Sequence, residues 1–232
     1  MNRRKPASAK VQITKDGPYL VTGALPLSKQ TIGSNPDGES VQWKAGHQYP
    51  AQESYALCRC GQSAKKPFCD GTHKKAGFSG TETADRRPYM EQATMTRGPK
   101  QSLSDAESLC AFARFCDPNG KVWDLVNRTN DPAASKHFVR QSCDCPSGRL
   151  VAWDNATGQP IETKYEPSIG LIEDPQEQCS GPIWLRGGVP VVGADGFEYE
   201  VRNRVTLCRC GASQNKPFCD GTHASIKFSD EK

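Results

Sequence analysis

The sequence is poor in apolar residues: 35% of its 232 positions are hydrophobic and 8% aromatic. So thin a supply argues against one large core and for small modules that need a covalent or metal staple. No run of about 18 apolar residues occurs, so no membrane anchor is expected. Strong charge is missing too. Thirty Lys and Arg face 26 Asp and Glu, a net of +4, and the basic residues are scattered apart from pairs such as Lys65-Lys66 and Lys74-Lys75. No nucleic-acid partner is expected from that pattern. There is no Gly-x-Gly-x-x-Gly opening a helix, no Walker sequence, and no arrangement of nucleophile and base or of paired carboxylates. The expected class is therefore non-enzymatic. Met1-Asn2-Arg3-Arg4-Lys5-Pro6 has no apolar stretch behind it, so no secretory signal is expected. A cytoplasmic, reducing location follows, with an organellar matrix as the alternative suggested by the basic, acid-free opening.

What the chain has is eleven cysteines, 21 glycines and 17 prolines. In a reducing compartment clustered cysteines bind metal more often than they form disulfides. Six of them fall in an internal repeat. The run Cys58-Arg59-Cys60-Gly61-Gln62-Ser63-Ala64-Lys65-Lys66-Pro67-Phe68-Cys69-Asp70-Gly71-Thr72-His73 returns at Cys208–His223, changed only at Gln62/Ala212, Ala64/Gln214 and Lys65/Asn215. Upstream, Gly17–Leu27 is echoed by Gly181–Val191; each reads as an apolar strand, a glycine turn and an X-Pro step.

The spacing suits metal ligation. Cys58 and Cys60 project to one side of an extended chain, and Cys69 and His73 to one side of a helical turn. Asp70 reads as an N-cap, with the helix N-terminus expected to face an anionic group. Three cysteines and a histidine suit either a two-iron cluster or tetrahedral zinc, although zinc knuckles favour a longer first spacer than Cys-x-Cys. The remaining histidines, His47 in a loop-like stretch and His137 on a helix, are expected to be ordinary surface or packing residues.

The pattern Cys-x-Cys-x₂-Ser-x₃-Pro-x-Cys-Asp-Gly-Thr-His resembles the CDGSH (mitoNEET-like) iron–sulfur domain family, with Thr72 and Thr222 at the Ser position. The resemblance implies two [2Fe–2S] clusters, one on Cys58, Cys60, Cys69 and His73 and one on Cys208, Cys210, Cys219 and His223. It implies a soluble tandem-motif member acting as a one-electron carrier, with cluster donation or redox sensing as the alternative and a zinc-stapled interaction module behind both. Replacing a fourth thiolate by neutral imidazole makes the site less negative, which raises the reduction potential and allows proton coupling. Expected partners are redox proteins or apo iron–sulfur acceptors.

The middle of the chain differs in character. Ser104-Asp105-Ala106-Glu107 fits a capping box, predicting an amphipathic helix that packs through Leu103, Leu109, Phe112 and Phe115. Asp131-Pro132 predicts a second helix to about Ser142, and Leu150–Trp153 a strand. Cys110, Cys116 and Cys145-Pro146 resemble the ligand positions of a divergent single-cluster ferredoxin, with Ala113 in a slot where cysteine would stand. Three readings stay open: a [3Fe–4S] cluster on those three, a [4Fe–4S] cluster completed by Cys143 or Cys179, or a segment without metal. The expected fold is α+β: an N-terminal module over 1–94, the ferredoxin-like segment over 95–172 and a second module over 173–232. The halves of a monomeric chain are expected to pair about a pseudo-two-fold axis.

Overall fold

The structure is a computed structural model that describes residues 9–231; the expectation about Met1–Pro6 lies outside the described residues. In chain order it contains β1 (Lys10–Ile13), β2 (Tyr19–Thr22), β3 (Leu27–Ser34), β4 (Ser40–Gln48), β5 (Ser54–Leu57), α1 (Thr72–Lys75), α2 (Tyr89–Gln92), β6 (Thr94–Arg97), β7 (Gln101–Asp105), α3 (Val122–Leu125), α4 (Pro132–Asp144), β8 (Leu150–Asp154), β9 (Pro160–Ile161), β10 (Ser168–Asp174), β11 (Cys179–Arg186), β12 (Val191–Val192), β13 (Arg204–Leu207) and α5 (Thr222–Ser225). The protein is β-rich with few helices, and none of those described is long and apolar enough to cross a membrane.

The strands form three sheets, ordered β12-β1-β2-β5, β13-β11-β10-β3-β4 and β6-β7-β8-β9. The first two carry the repeat in one register. Tyr19 pairs with Leu57 and Val21 with Tyr55; Ile183 pairs with Leu207 and Leu185 with Val205. The sheets also exchange strands. From the first half, β3 adds parallel to β10 with Leu27 beside Ile169. From the second half, β12 adds parallel to β1 with Val191 beside Val11. Leu27 and Val191 end the two copies of the upstream echo, so equivalent residues make the crossover in both directions.

Burial explains the arrangement. In β1, Val11 and Ile13 are buried while their neighbours are partly exposed, the alternation of a sheet covered on one face. In β11 every residue from Cys179 to Leu185 is buried, as expected for a strand covered on both faces. One apolar cluster spans both halves, drawing Val11, Val21 and Leu57 from the first and Ile183, Leu185 and Leu207 from the second. A second joins Trp184 and Ile172 of the five-stranded sheet to Phe115 of the middle segment.

The middle segment has its own core, in which Phe138 of α4 packs with Leu103, Val122, Leu125, Leu150 and Ala152. Asp131 caps α4, accepting from the Ala133 N–H with Pro132 at the first helical position, as the sequence predicts. The predicted helix at 104 does not form. Residues 101–105 are strand β7, with Asp105 paired to Leu150, and only a single 3-10 turn follows at Glu107–Leu109. The Ser104 hydroxyl, the expected cap, is taken by the Trp153 indole and the Tyr89 hydroxyl instead of by a helix N-terminus, and the neighbouring Asp105 carboxylate accepts from Arg149 and the Trp123 indole. Phe112 sits at φ 54° and is 41% exposed, so it packs in no helix face. His47 lies on strand β4 rather than in a loop, exposed and edge-on to Tyr49.

Candidate metal centres

Each cysteine loop is preformed by its own hydrogen bonds. Cys58 N–H donates to the Pro67 carbonyl at 2.8 Å and Cys69 N–H to that of Ala56 at 2.9 Å; the second copy repeats these from Cys208 to Pro217 and from Cys219 to Thr206. The buried Ser63 hydroxyl donates to the Phe68 carbonyl at 2.6 Å and accepts from Lys65 N–H. Ser213 does the same with Phe218 and Asn215. Asp70 does not cap α1, whose N-cap is Gly71; its carboxylate instead ties Ala64 N–H to Thr72 N–H. A four-residue helix has little macrodipole, so the dipole expected there is replaced by single N–H groups such as that of Gly221, 3.4 Å from Cys219 Sγ.

These loops bring the predicted ligands together two by two. Cys58 and Cys60 Sγ are 3.7 Å apart, and Cys69 Sγ is 3.4 Å from His73 Nδ1. In the second copy the separations are 3.7 and 3.3 Å. Two donors about 2.3 Å from a tetrahedral metal lie about 3.8 Å apart, so each pair suits one metal. Among the described residues, no three His, Cys, Asp or Glu side chains close on one ion position. Four donors grouped in twos fit a two-metal cluster better than a single zinc.

The electrostatics agree. Burial pushes the Cys60 thiol up to about 11, and a hydrogen bond to Cys208 together with burial raises that of Cys210. Burial also raises Cys219. Cys208 moves the other way, down to about 6, because Cys210 donates a hydrogen bond to its thiolate, so the second Cys-x-Cys pair shares one proton that a bound cation would displace. Burial lowers His223 to about 4, which keeps the imidazole neutral, the state required of a ligand.

The residue between the first two cysteines was not singled out by the sequence reading, although it is repeated in both copies. Arg59 and Arg209 are 1% and 3% exposed. Arg59 donates to the carbonyls of Thr14 and Gly80 and stacks over Tyr19 and Phe78. Arg209 donates to the Gly181 and Ile172 carbonyls and pairs with Glu173 and Asp230. Tyr19 reaches across from the first half to donate to the Cys208 carbonyl at 2.8 Å; its counterpart Ile183 has no hydroxyl.

In the middle segment Cys110, Cys116 and Cys145 line one small cavity with Ala113, Arg149 and Leu150. Burial raises Cys116 to about 11, and the Arg149 cation is held beside Cys110 and Asp105. Neither candidate for a fourth ligand is there. Cys143 lines another groove and lies 3.4 Å from the Ile161 carbonyl. Cys179 lies beyond it on β11, near Asp174 and Lys227.

Comparison with known families agrees with this division. The model described as iron-binding zinc finger, CDGSH type, matches residues 16–74 and 180–224, and that of a divergent 4Fe-4S mono-cluster matches residues 96–155. Searches of curated proteins and of solved structures return no match. The chain is an iron–sulfur protein that carries two CDGSH-type iron-binding segments with a divergent 4Fe–4S mono-cluster segment between them.

Proposed function

We propose that the protein is a non-enzymatic one-electron carrier holding two [2Fe–2S] clusters, on Cys58, Cys60, Cys69 and His73 and on Cys208, Cys210, Cys219 and His223. The observation that carries this is the grouping of donors in twos at 3.3–3.7 Å, the same in both copies. When bound, such a cluster supplies reversible one-electron chemistry at a potential raised by histidine ligation. The chain's part is to hold the sulfurs without rearrangement, through the Ser, Asp and backbone bonds of each loop. The exchanged strands and matched registers support a monomer whose halves pair about a pseudo-two-fold axis; an obligate dimer in analytical ultracentrifugation would oppose it.

Cys110, Cys116 and Cys145 in one cavity support a third cluster on three cysteines. Iron and sulfide quantitation on anaerobically purified protein, read with the EPR spectrum of the reduced form, tests both proposals. About four irons mean two clusters, and about seven or eight add the third. Colourless protein, or zinc in place of iron, ends the reading. One observation favours the alternative of cluster donation: Cys69 and His73 are only partly buried. Transfer of iron and sulfide to an apo-ferredoxin on mixing under reducing conditions, such as those of the cytoplasm, would mark a donor, whereas a carrier keeps its iron.

A further inference from the structure

The two CDGSH-type sites are alike in their donors and unlike in what surrounds them. Around the first site, a Cβ on Gly71 would meet nothing within 4 Å. Around the second, a Cβ on Gly221 would lie 3.2 Å from Phe112 Cβ and 3.5 Å from the Cys110 carbonyl oxygen. The middle segment thus lies over the second histidine loop. His223 is 4% and Cys219 3% exposed, whereas His73 and Cys69 reach the surface; the difference lies in the Cys/His pair, since in the Cys-x-Cys pair Cys60 is buried and Cys210 partly exposed.

The sequence differences between the copies fall on the same divide. Exposed Lys65, Lys74 and Lys75 flank Cys69 and His73; the corresponding residues of the second copy are Asn215, Ala224 and Ser225. Asn215 donates to the Ser108 carbonyl of the middle segment at 2.8 Å, so a lysine at the open site is replaced by an amide that bonds the cover. The lysine unique to the second copy, Lys227 opposite Gly77, is paired with Glu177. The nearest acid on the open loop, Asp70, has both carboxylate oxygens engaged by backbone N–H groups, as has Asp220 in the covered one. The two loops also touch, Gly61 lying against the Cys210 backbone and Gly211 against that of Cys60. The open site, the covered site and the three-cysteine cavity therefore form one continuous series.

We propose that the first site is the docking face of the molecule, where Lys65, Lys74 and Lys75 receive an acidic protein partner, and that the second site is an internal station between it and the middle segment. This rests on the carrier reading and adds the chemistry of the partner. Three exposed like charges beside a partly exposed redox site steer an oppositely charged protein and orient it there.

The test is binding of the full-length holoprotein to a strongly acidic plant-type ferredoxin, used as the probe, over a series of salt concentrations. The informative variant transplants the second copy's residues: Lys65→Asn, Lys74→Ala and Lys75→Ser. The control removes equal charge elsewhere: Lys121→Asn, Lys136→Ala and Lys164→Ser, all exposed. The transplant is expected to weaken low-salt binding about tenfold or more and to flatten its salt dependence, with the control within about twofold of the parent. Equal weakening by both variants, or none by the transplant, overturns the docking face. Circular dichroism and iron content of the same samples verify that each variant is folded and loaded. If binding depends on the three lysines but the reduced protein passes no electron to the probe, the docking face stands and the carrier reading falls. If electrons pass and the transplant binds like the parent, the reverse holds.

Discussion

Gly61 and Gly211 rest on each other's cysteine loops. A Cβ at Gly61 would stand 2.5 Å from the Cys210 carbonyl oxygen, and one at Gly211 would stand 2.6 Å from that of Cys60. Both glycines also hold positive φ, 75° and 83°, so the two sites approach closely only because neither residue has a side chain. Gly71 shares the positive φ, at 89°, but has open space around it. Gly71→Ala is expected to cost about 1–3 kcal/mol from backbone strain alone. Gly61→Ala and Gly211→Ala are expected to cost more, since a backbone must move as well. Urea unfolding of the three holoproteins gives the order, and Gly71→Ala matching the other two would contradict it.

The buried arginines predict a second inequality. Arg209→Met leaves Asp230, whose side chain is 7% exposed, without its cation, and a loss of about 3–5 kcal/mol is expected. Glu173 keeps Lys29 at 3.6 Å. Arg59→Met leaves carbonyls rather than carboxylates unpaired, so a loss of about 1–3 kcal/mol is expected. Denaturation midpoints with unchanged slopes measure both.

Metal removal separates the sites by access. Bleaching of the visible absorbance by EDTA is expected in two phases, the faster from the partly exposed site of His73 and the slower from that of His223, which is 4% exposed. Cys69→Ala should delete the fast phase and Cys219→Ala the slow one. A single phase in the parent protein, or the opposite assignment, contradicts the difference in cover.

The middle segment makes a prediction in iron content. Cys110→Ala, Cys116→Ala and Cys145→Ala are each expected to lower iron per chain, because these thiols share one cavity. Cys143→Ala and Cys179→Ala, whose thiols lie elsewhere, are expected to leave it unchanged. Iron loss on replacing either would restore that residue as a ligand.

Tyr89 gives a dependence on alkaline pH. Its single hydroxyl proton is shared between the Arg149 carbonyl at 2.8 Å and the Ser104 carbonyl at 3.0 Å, and burial pushes its pKa up to about 12. A raised folded-state pKa contributes stability that is complete below the unfolded pKa of about 10 and lost as pH rises toward the folded value. Tyr89→Phe is therefore expected to be less stable at pH 8 and to lose stability less steeply between about pH 10 and 12. Urea midpoints across that range check the slope, and parallel curves would rule out the contribution.

The amino-acid sequence determined the donor sets and the loops that carry them. Cys58–His73 and Cys208–His223 largely specify their own geometry, since the bonds the two copies share, from Ser63 to Phe68 and from Asp70 to Ala64 in the first, are made within the loop or to the adjoining strand. Asp131-Pro132 likewise starts its helix through a contact two residues away. Non-local partners decided the rest. Ser104 and Glu107 satisfy the capping pattern, yet the Ser104 hydroxyl accepts from the Trp153 indole, 49 residues on, and its backbone joins a ladder with Val151. Pairing across a sheet offers more hydrogen bonds and burial than one helical turn. The exchange of β3 and β12, the contact of Gly61 with Cys210, and the cover of Phe112 over Gly221 also join residues far apart in the chain. Local propensity carries no information about such contacts. Two nearly identical motifs thus acquire unlike surroundings, because ligand identity is local whereas solvent exposure depends on what packs on top.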